Sequence, residues 1–283
     1  MAADSAEGTS PDPSEAGQAA DDLARFDTGV AHPARIYDYW LGGKDNFAAD
    51  RAAGEAVMAA RPTVVRDIRA NRAFMQRAVA YLAHDAGIRQ FLDIGTGIPT
   101  SPNVHEIAQE IAPDARIVYA DNDPIVLAYA RALLTGTRDG ATDYVDADLR
   151  DPDKILDHAR RTLDFGRPIA VQLIGMLHLI SDDEDPYGIA ARLMADVPSG
   201  SYLVVTHPAS DVDAEVVAEG ARRYNASSST AQTRRDQAEV TRLLDGLELV
   251  EPGVVQAHRW RPAHGLDVSS YEVSCWVGIG RKP

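Results

Sequence analysis

The sequence predicts an α/β fold, a Rossmann-like sheet with one antiparallel strand near its end. Between residues 87 and 209, short apolar runs alternate with amphipathic helical segments, which is typical of parallel βαβ units. The apolar runs are continuous, as expected for strands that are covered on both faces. The chain then closes on two strand-like segments with no helix between them, which indicates an antiparallel last strand.

The N-terminal part divides into two regions. Residues 1–24 lack large apolar side chains and are expected to form a disordered tail. Residues 25–86 are predicted to form a helical extension or lid: ARIYDYWLGGKDNF as a short helix and a structured loop, then helices over 48–60 and 63–84. Residues 87–283 are left to form the α/β domain.

The predicted sheet elements follow in chain order. Strands one to five are RQFLDIG, ARIVYAD, TDYVDADL, PIAVQLIGML and SYLVVTHPA. The helices between them are VHEIAQEIA, PIVLAYARALL, DKILDHARRTLD and PYGIAARLMADV, and Asp123 is a plausible N-cap of the second. A long polar helical region over 211–245 precedes the last two strands, LELVEPGVV and YEVSCWVGIG.

Composition limits the classes of partner. The chain has 283 residues, a formal net charge of −15 and one cysteine. So acidic a protein repels a phosphate backbone, so we expect no nucleic-acid partner. The sequence has no long apolar run and no signal-like start. We therefore expect no membrane partner and a cytoplasmic location. A single cysteine and no zinc-like spacing predict neither a disulfide nor a metal site.

Polar residues and glycines follow the first three predicted strands, where an open α/β sheet binds its ligands. The glycines allow a tight turn that a ligand can approach closely, and the carboxylates can accept hydrogen bonds from ribose hydroxyls and an adenine amino group. The candidate nucleotide-binding residues are Asp93, Gly95, Thr96, Gly97, Asp121, Asn122, Asp148 and Leu149.

Two features of this loop bear on which nucleotide it binds. The dinucleotide fingerprint requires a third glycine where this chain has Thr100, preceded by Pro99. Asp93 also adds a carboxylate that would repel a pyrophosphate but attract a sulfonium and an ammonium. These features favour S-adenosylmethionine over NAD, and they disfavour an NAD-dependent oxidoreductase.

Longer motifs extend this interpretation to most of the chain, over roughly residues 26–282. They are ARIYDYWLGGKDNF, ANRAFMQRAV, QFLDIGTGIPTSPNVHEIAQ, VYADNDPIVLAYARALL, YVDADLRDP, the DDEDPYGI region and GLELVEPGVV. The sequence resembles the class I S-adenosylmethionine-dependent methyltransferases, and specifically the actinobacterial S-adenosyl methyltransferase family, formerly a domain of unknown function. The resemblance implies a seven-stranded sheet of order 3-2-1-4-5-7-6 with strand 7 antiparallel. It also implies S-adenosylmethionine as cofactor and S-adenosylhomocysteine as product, but no particular acceptor.

The acceptor pocket is expected beyond strand four. His178 is the first candidate for a general base, with capping of the following turn or a bond to a core carbonyl as its alternative role, and His207 is the second candidate. Gly175 and Arg72 are candidates for the methionine end of the cofactor. The lid candidates are Tyr37, Tyr39, Trp40 and Asn46, whose alternative role is to pack the N-terminal helices on the sheet.

Three functions stay open at this stage. The first is O- or N-methylation of a small organic molecule by a monomer or homodimer. The second is a protein of the same fold that binds S-adenosylmethionine or S-adenosylhomocysteine without transferring a methyl group. The third, disfavoured above, is NAD-dependent oxidoreduction.

Overall fold

The computed structural model describes residues 27–133, 136–263 and 265–283, so the tail predicted over 1–24 lies outside the described residues. The helices are α1 (Pro33–Leu41), α2 (Ala48–Ala60), α3 (Val64–His84), α4 (Val104–Ile111), α5 (Pro124–Leu133), α6 (Pro152–Ala159), α7 (Pro186–Ala195), α8 (Ala214–Ser227) and α9 (Gln237–Arg242). The strands are β1 (Gln90–Ile94), β2 (Arg116–Asp121), β3 (Ala141–Asp146), β4 (Ala170–Ile174), β5 (Tyr202–Pro208), β6 (Glu248–Leu249), β7 (Val255–Gln256) and β8 (Cys275–Arg281). None of these helices combines the length and the apolar character needed to cross a membrane.

The strands form one sheet of order β3-β2-β1-β4-β5-β8-β6, with β7 also pairing with β8. Strands β1 to β5 run parallel, and β8 runs antiparallel to β5. This confirms the predicted topology and its antiparallel last strand, since β8 is the seventh strand of the prediction. The predicted sixth strand is present as two short strands, β6 and β7.

Both faces of the sheet are buried. Along β1, Leu92 and Ile94 belong to one apolar cluster with residues of α6 and α7, whereas Phe91 belongs to a second cluster with residues of α3 and α4. The alternation follows from the two-residue repeat of a strand, and it explains the continuous apolar runs in the sequence.

The N-terminal helical extension is present as α1, α2 and α3. A third apolar cluster joins these helices to α8, and it contains Ile36, Trp40, Val57, Val64 and Tyr224. Helix α3 belongs to two clusters, because Val64 packs in this third cluster and Phe74 packs against the sheet. The extension is therefore fastened both to the sheet and to α8.

The long helical region predicted over 211–245 is wrong in its middle. Helix α8 ends at Ser227, α9 begins at Gln237, and residues 228–236, called the closing segment below, run between them without helical structure. The backbone N–H groups of Ser229 and Thr233 donate to the carbonyls of Ala31, at 2.8 Å, and His178, at 2.7 Å. Serine and asparagine side chains compete for backbone groups and disfavour helix interiors, so this polar stretch takes its hydrogen bonds from other elements.

Candidate functional site

A cavity of about 250 Å³ lies at the carboxyl ends of the parallel strands. Its walls come from the loops after β1 to β4, from the end of β5, from α1 and α3, and from the closing segment. The predicted site residues that line it are Tyr37, Trp40, Arg72, Asp93, Gly95, Thr96, Gly97, Asp121, Asn122, Asp148, Leu149, Gly175 and His178. Topology thus brings together most of the residues that the sequence singled out.

The two glycines after β1 serve different purposes. Both have positive φ, +78° at Gly95 and +63° at Gly97. A Cβ atom at Gly95 would lie 2.0 Å from Cγ and Sδ of Met176, whereas one at Gly97 would meet no atom within 4 Å. Gly95 therefore allows the loops after β1 and β4 to pack closely, and Gly97 leaves the backbone open toward the cavity.

Asp93 and Arg72 are two charged residues that line the cavity near the loop after β1. Burial raises the pKa of Asp93 to about 7, against the opposing effect of the Arg72 guanidinium. Arg72 donates to the carbonyls of Thr100 and Pro102, and its buried Nε has no hydrogen-bond partner among the described residues. Arg72 therefore holds the loop after β1 and keeps one unpartnered donor in the cavity wall.

Two more carboxylates lie at the ends of β2 and β3. Asp121 accepts hydrogen bonds from the backbone N–H groups of Gly97 and Asp123, both at 2.9 Å, and burial raises its pKa to about 6. Asp148 accepts from the Asn122 side chain at 2.7 Å. Burial opposes the ionisation of Asp148, but hydrogen bonds from the Arg150 backbone and from Asn122 lower its pKa below the ordinary value. The three strand ends are thereby linked.

The two histidine candidates differ in their surroundings. His178 lines the cavity, and its Nδ1 is buried without a hydrogen-bond partner in the described structure. Burial, with help from His207 and from Arg234 and Arg235, lowers the pKa of His178 well below its ordinary value.

His207 is fully buried outside the cavity lining, and both of its ring nitrogens are engaged. Arg235 donates to Nε2 at 2.9 Å, and Nδ1 lies 3.0 Å from the Pro208 carbonyl. Burial lowers the pKa of His207 to about 3. His207 therefore lies outside the cavity and holds its neighbours through both ring nitrogens.

The four lid candidates also separate into two pairs. Tyr37 accepts a hydrogen bond from Asn71 at 3.0 Å in the cavity wall, and Trp40 donates to the Gly54 carbonyl at 3.3 Å. Tyr39 instead bonds Glu55 at 3.2 Å, outside the cavity lining. The buried Asn46 side chain donates to Asp38 at 2.8 Å and holds the loop after α1.

Sequence reasoning missed the arginines on the other side of the cavity. Arg235 is fully buried and donates to the carbonyls of Leu177, at 2.9 Å, and Ile180, at 3.0 Å, and to Asp182 at 2.6 Å. It thereby fixes the loop that carries His178. Arg234 and Arg61 line the cavity itself. In the sequence, Arg234 and Arg235 are visible only as a pair of arginines after a low-complexity stretch. Such a pair by itself indicates solvent exposure and not burial.

A comparison with protein families matches residues 19–283 to the S-adenosyl methyltransferase family. The chain belongs to this family. A DUF574 family protein from Streptomyces avermitilis is 48% identical, with a TM-score of 0.87 over 91% of this chain and 99% of that one. A candidate methyltransferase from Thermobifida fusca is 40% identical, with a TM-score of 0.84 over 90% of this chain and 96% of that one. No curated protein matches the chain.

The cofactor of this S-adenosyl methyltransferase is S-adenosylmethionine. The residues present fit it, because the open backbone at Gly97 is bonded to the Asp121 carboxylate and shares the cavity with Asp93. Raised pKa values at both carboxylates indicate a site that gains from a bound cation and from hydroxyl donors. The expected family and the expected cofactor are both confirmed.

Proposed function

We propose that the protein transfers the methyl group of S-adenosylmethionine to an oxygen or nitrogen atom of a small organic molecule. The observation that carries this is one cavity shared by the glycine loop, Asp93 and His178. The N-terminal helices and the closing segment cover it, so an acceptor can be held away from bulk water. Alignment of donor and acceptor accounts for much of the rate of such a displacement.

We assign the cofactor contacts along the strand ends. Asp121 accepts from the ribose hydroxyls, Asp148 with Leu149 holds the adenine, and Asp93 with Gly175 faces the methionine end. The bound cofactor supplies a methyl group activated by a sulfonium. We assign the methionine carboxylate to the guanidinium of Arg72, which lines the cavity and whose Nε has no partner among the described residues.

We assign proton acceptance to Nδ1 of His178. Its lowered pKa keeps the imidazole neutral, so that a lone pair is available for the proton of an acceptor O–H or N–H. A neutral imidazole of low pKa is a weak base, and we therefore expect the proton to move as the methyl group moves. His207 is left out of this chemistry because both of its nitrogens are engaged.

The weakness of that base also supports the second candidate, a protein of this fold that binds the cofactor without transferring methyl. Labelled-methyl transfer to a small-molecule extract distinguishes the two, provided that S-adenosylhomocysteine binding is first established by calorimetry. Binding without transfer to any fraction of the extract would favour the second candidate. The third function, NAD-dependent oxidoreduction, is not proposed, because the chain belongs to the S-adenosyl methyltransferase family.

The base assignment predicts the effect of His178→Ala. Methyl transfer should fall about a hundredfold or more, as for loss of a general base. S-adenosylhomocysteine affinity should stay within about twofold, because no cofactor contact is assigned to the imidazole. His84→Ala, at a side chain 76% exposed at the end of α3, is the matched control and should change neither. Full activity of His178→Ala would remove the imidazole from the chemistry.

Several expectations stay predictions: a cytoplasmic location, an actinobacterial source, a monomer or homodimer, and the absence of a nucleic-acid partner. The division into 25–86 as extension and 87–283 as methyltransferase domain is likewise proposed. The three helices before β1 support that division, since β1 begins at Gln90.

A further inference from the structure

Arg234 is an arginine of the cavity wall that forms no ion pair with any residue that the structure describes. Its Nη1 donates to the Ala209 carbonyl at 3.2 Å, and its buried Nε has no hydrogen-bond partner in the described part of the chain. Among the residues that the structure describes, no carboxylate lies within 4.0 Å of its guanidinium. Burial, together with the nearby Arg61, lowers the pKa of Arg234 to about 9, which leaves it charged at neutral pH.

The neighbouring groups do not neutralise this charge. Arg61 forms a buried ion pair with Asp67, so the Asp67 carboxylate is already paired with another guanidinium. Cys275 stays a thiol because burial raises its pKa to about 12. His178 is neutral. One uncompensated positive charge therefore remains at this end of the cavity, and a buried cation without a counterion is costly.

The charge lies on the acceptor side. Arg234 lines the cavity together with residues from the end of β5, from the position before β8 and from α8, namely Thr206, Pro208, Ser274 and Tyr224. The carboxylates assigned to ribose and adenine follow β2 and β3, at the other end of the sheet order. A group bound at Arg234 is therefore distinct from the adenosyl part of the cofactor.

We propose that the methyl acceptor carries a carboxylate group and that Arg234 binds it. This rests on the proposed function, because it names the substrate class of the same cavity. A guanidinium presents its donors in a planar fork that matches the two oxygens of a carboxylate. A monoanion balances the single surplus charge, whereas a phosphate dianion would leave one negative charge without a partner.

Calorimetry with a matched pair of probes tests this. Wild-type protein saturated with S-adenosylhomocysteine is titrated with benzoate and with benzamide, which share size and shape but differ in charge. We expect benzoate to bind at least about tenfold more tightly, and Arg234→Gln to abolish that preference. Arg234→Lys, which keeps the charge but not the fork, should retain part of it. Arg223→Gln on α8 removes one exposed guanidinium and should leave the preference intact.

The outcomes separate this proposal from the one beneath it. Failure of wild-type protein to bind S-adenosylhomocysteine would contradict the cofactor contacts before any probe is added. If the cofactor product binds, equal binding of the two probes, or no binding of either up to about 10 mM, would overturn the carboxylate proposal. The proposal is also overturned if Arg234→Gln weakens the binding of S-adenosylhomocysteine and leaves the binding of benzoate unchanged. The Arg234 charge would then bind the cofactor and not the acceptor.

Discussion

The carboxyl group of Asp93 lies at the end of β1 and is only 7% exposed. In an unfolded chain its pKa would be about 3.9, whereas burial raises it to about 7 in the folded protein. At pH values between about 4 and about 7, the carboxyl group is therefore protonated in the folded state and ionised in the unfolded state. The stability that this group contributes is complete below pH 4 and declines as the pH rises toward 7. Above pH 7 the folded chain carries an unfavourable buried charge that a cationic ligand can relieve.

This predicts opposite effects of Asp93→Asn on stability and binding. Without cofactor at pH 8, the free energy of unfolding should rise by on the order of 4 kcal/mol, because the buried charge is gone. The gain should shrink at pH 5, where the native carboxyl is already protonated. S-adenosylmethionine affinity should fall at least about tenfold. Urea denaturation at both pH values and calorimetry measure these effects.

Asp114→Asn is the control for that experiment, since its carboxylate is 65% exposed and should change neither quantity. A loss of stability in Asp93→Asn at pH 8 would show that the ionised carboxylate is favourable in the empty site. That result would contradict the charge argument even if cofactor affinity fell.

At the scale of elements, the site depends on how closely the loops after β1 and β4 approach each other. Met176, in the second loop, packs against Gly95 in the first. Arg235 holds that second loop from the other side through carbonyls and Asp182. The loop carrying His178 is thereby fixed between a glycine contact and a buried guanidinium, neither of which belongs to a regular helix or strand.

The contact between these loops predicts how glycine substitutions differ. Gly95→Ala should lower the free energy of unfolding by about 2–4 kcal/mol, since it adds a clash to the strain of a positive φ. Gly97→Ala should cost about 1 kcal/mol, from φ alone. Adding Met176→Ala to Gly95→Ala removes the clash and should recover part of the loss, beyond what the single substitutions predict by addition. Additive effects in urea denaturation would contradict the role of the contact.

At the scale of the whole molecule, the extension and the sheet are joined through α3. The three tryptophans occupy three apolar clusters: Trp40 lies in the extension, and Trp276 and Trp260 lie on opposite faces of the sheet. Because α3 contributes to two clusters and the cavity walls come from both parts, we expect the described regions to unfold as one cooperative unit.

Single-tryptophan variants test that cooperativity. Three proteins, each retaining one tryptophan and carrying phenylalanine at the other two positions, are unfolded in urea and followed by fluorescence. Within each protein, the fluorescence midpoint should agree with the far-UV circular dichroism midpoint. An earlier fluorescence transition confined to the Trp40 protein would show that the extension unfolds separately. The concentration of S-adenosylhomocysteine at which such a transition disappears would measure how strongly the bound cofactor product couples the unfolding of the extension to that of the sheet.

Much of this protein's architecture could be predicted from local sequence patterns. Alternation of apolar strands and amphipathic helices predicts the sheet, because a two-residue and a 3.6-residue repeat are visible without any tertiary contact. The candidate site residues at the ends of β1 to β3 follow from the same logic, since parallel strands place their carboxyl ends together. The helix predicted across 228–236 is wrong, because the backbone partners of that segment lie in Ala31 and His178, far away in the chain.

The sequence by itself therefore determined the sheet, its antiparallel last strand and the nucleotide-binding edge, all of which depend on periodicity and on topology rules. Only the tertiary structure decided which polar side chains are buried and what they meet. It turned Tyr39, Asn46 and His207 away from the cavity and brought Arg234 into its wall. Charge and hydrogen-bonding capacity can be read from a residue's identity, but its desolvation and its partners come from packing between distant segments.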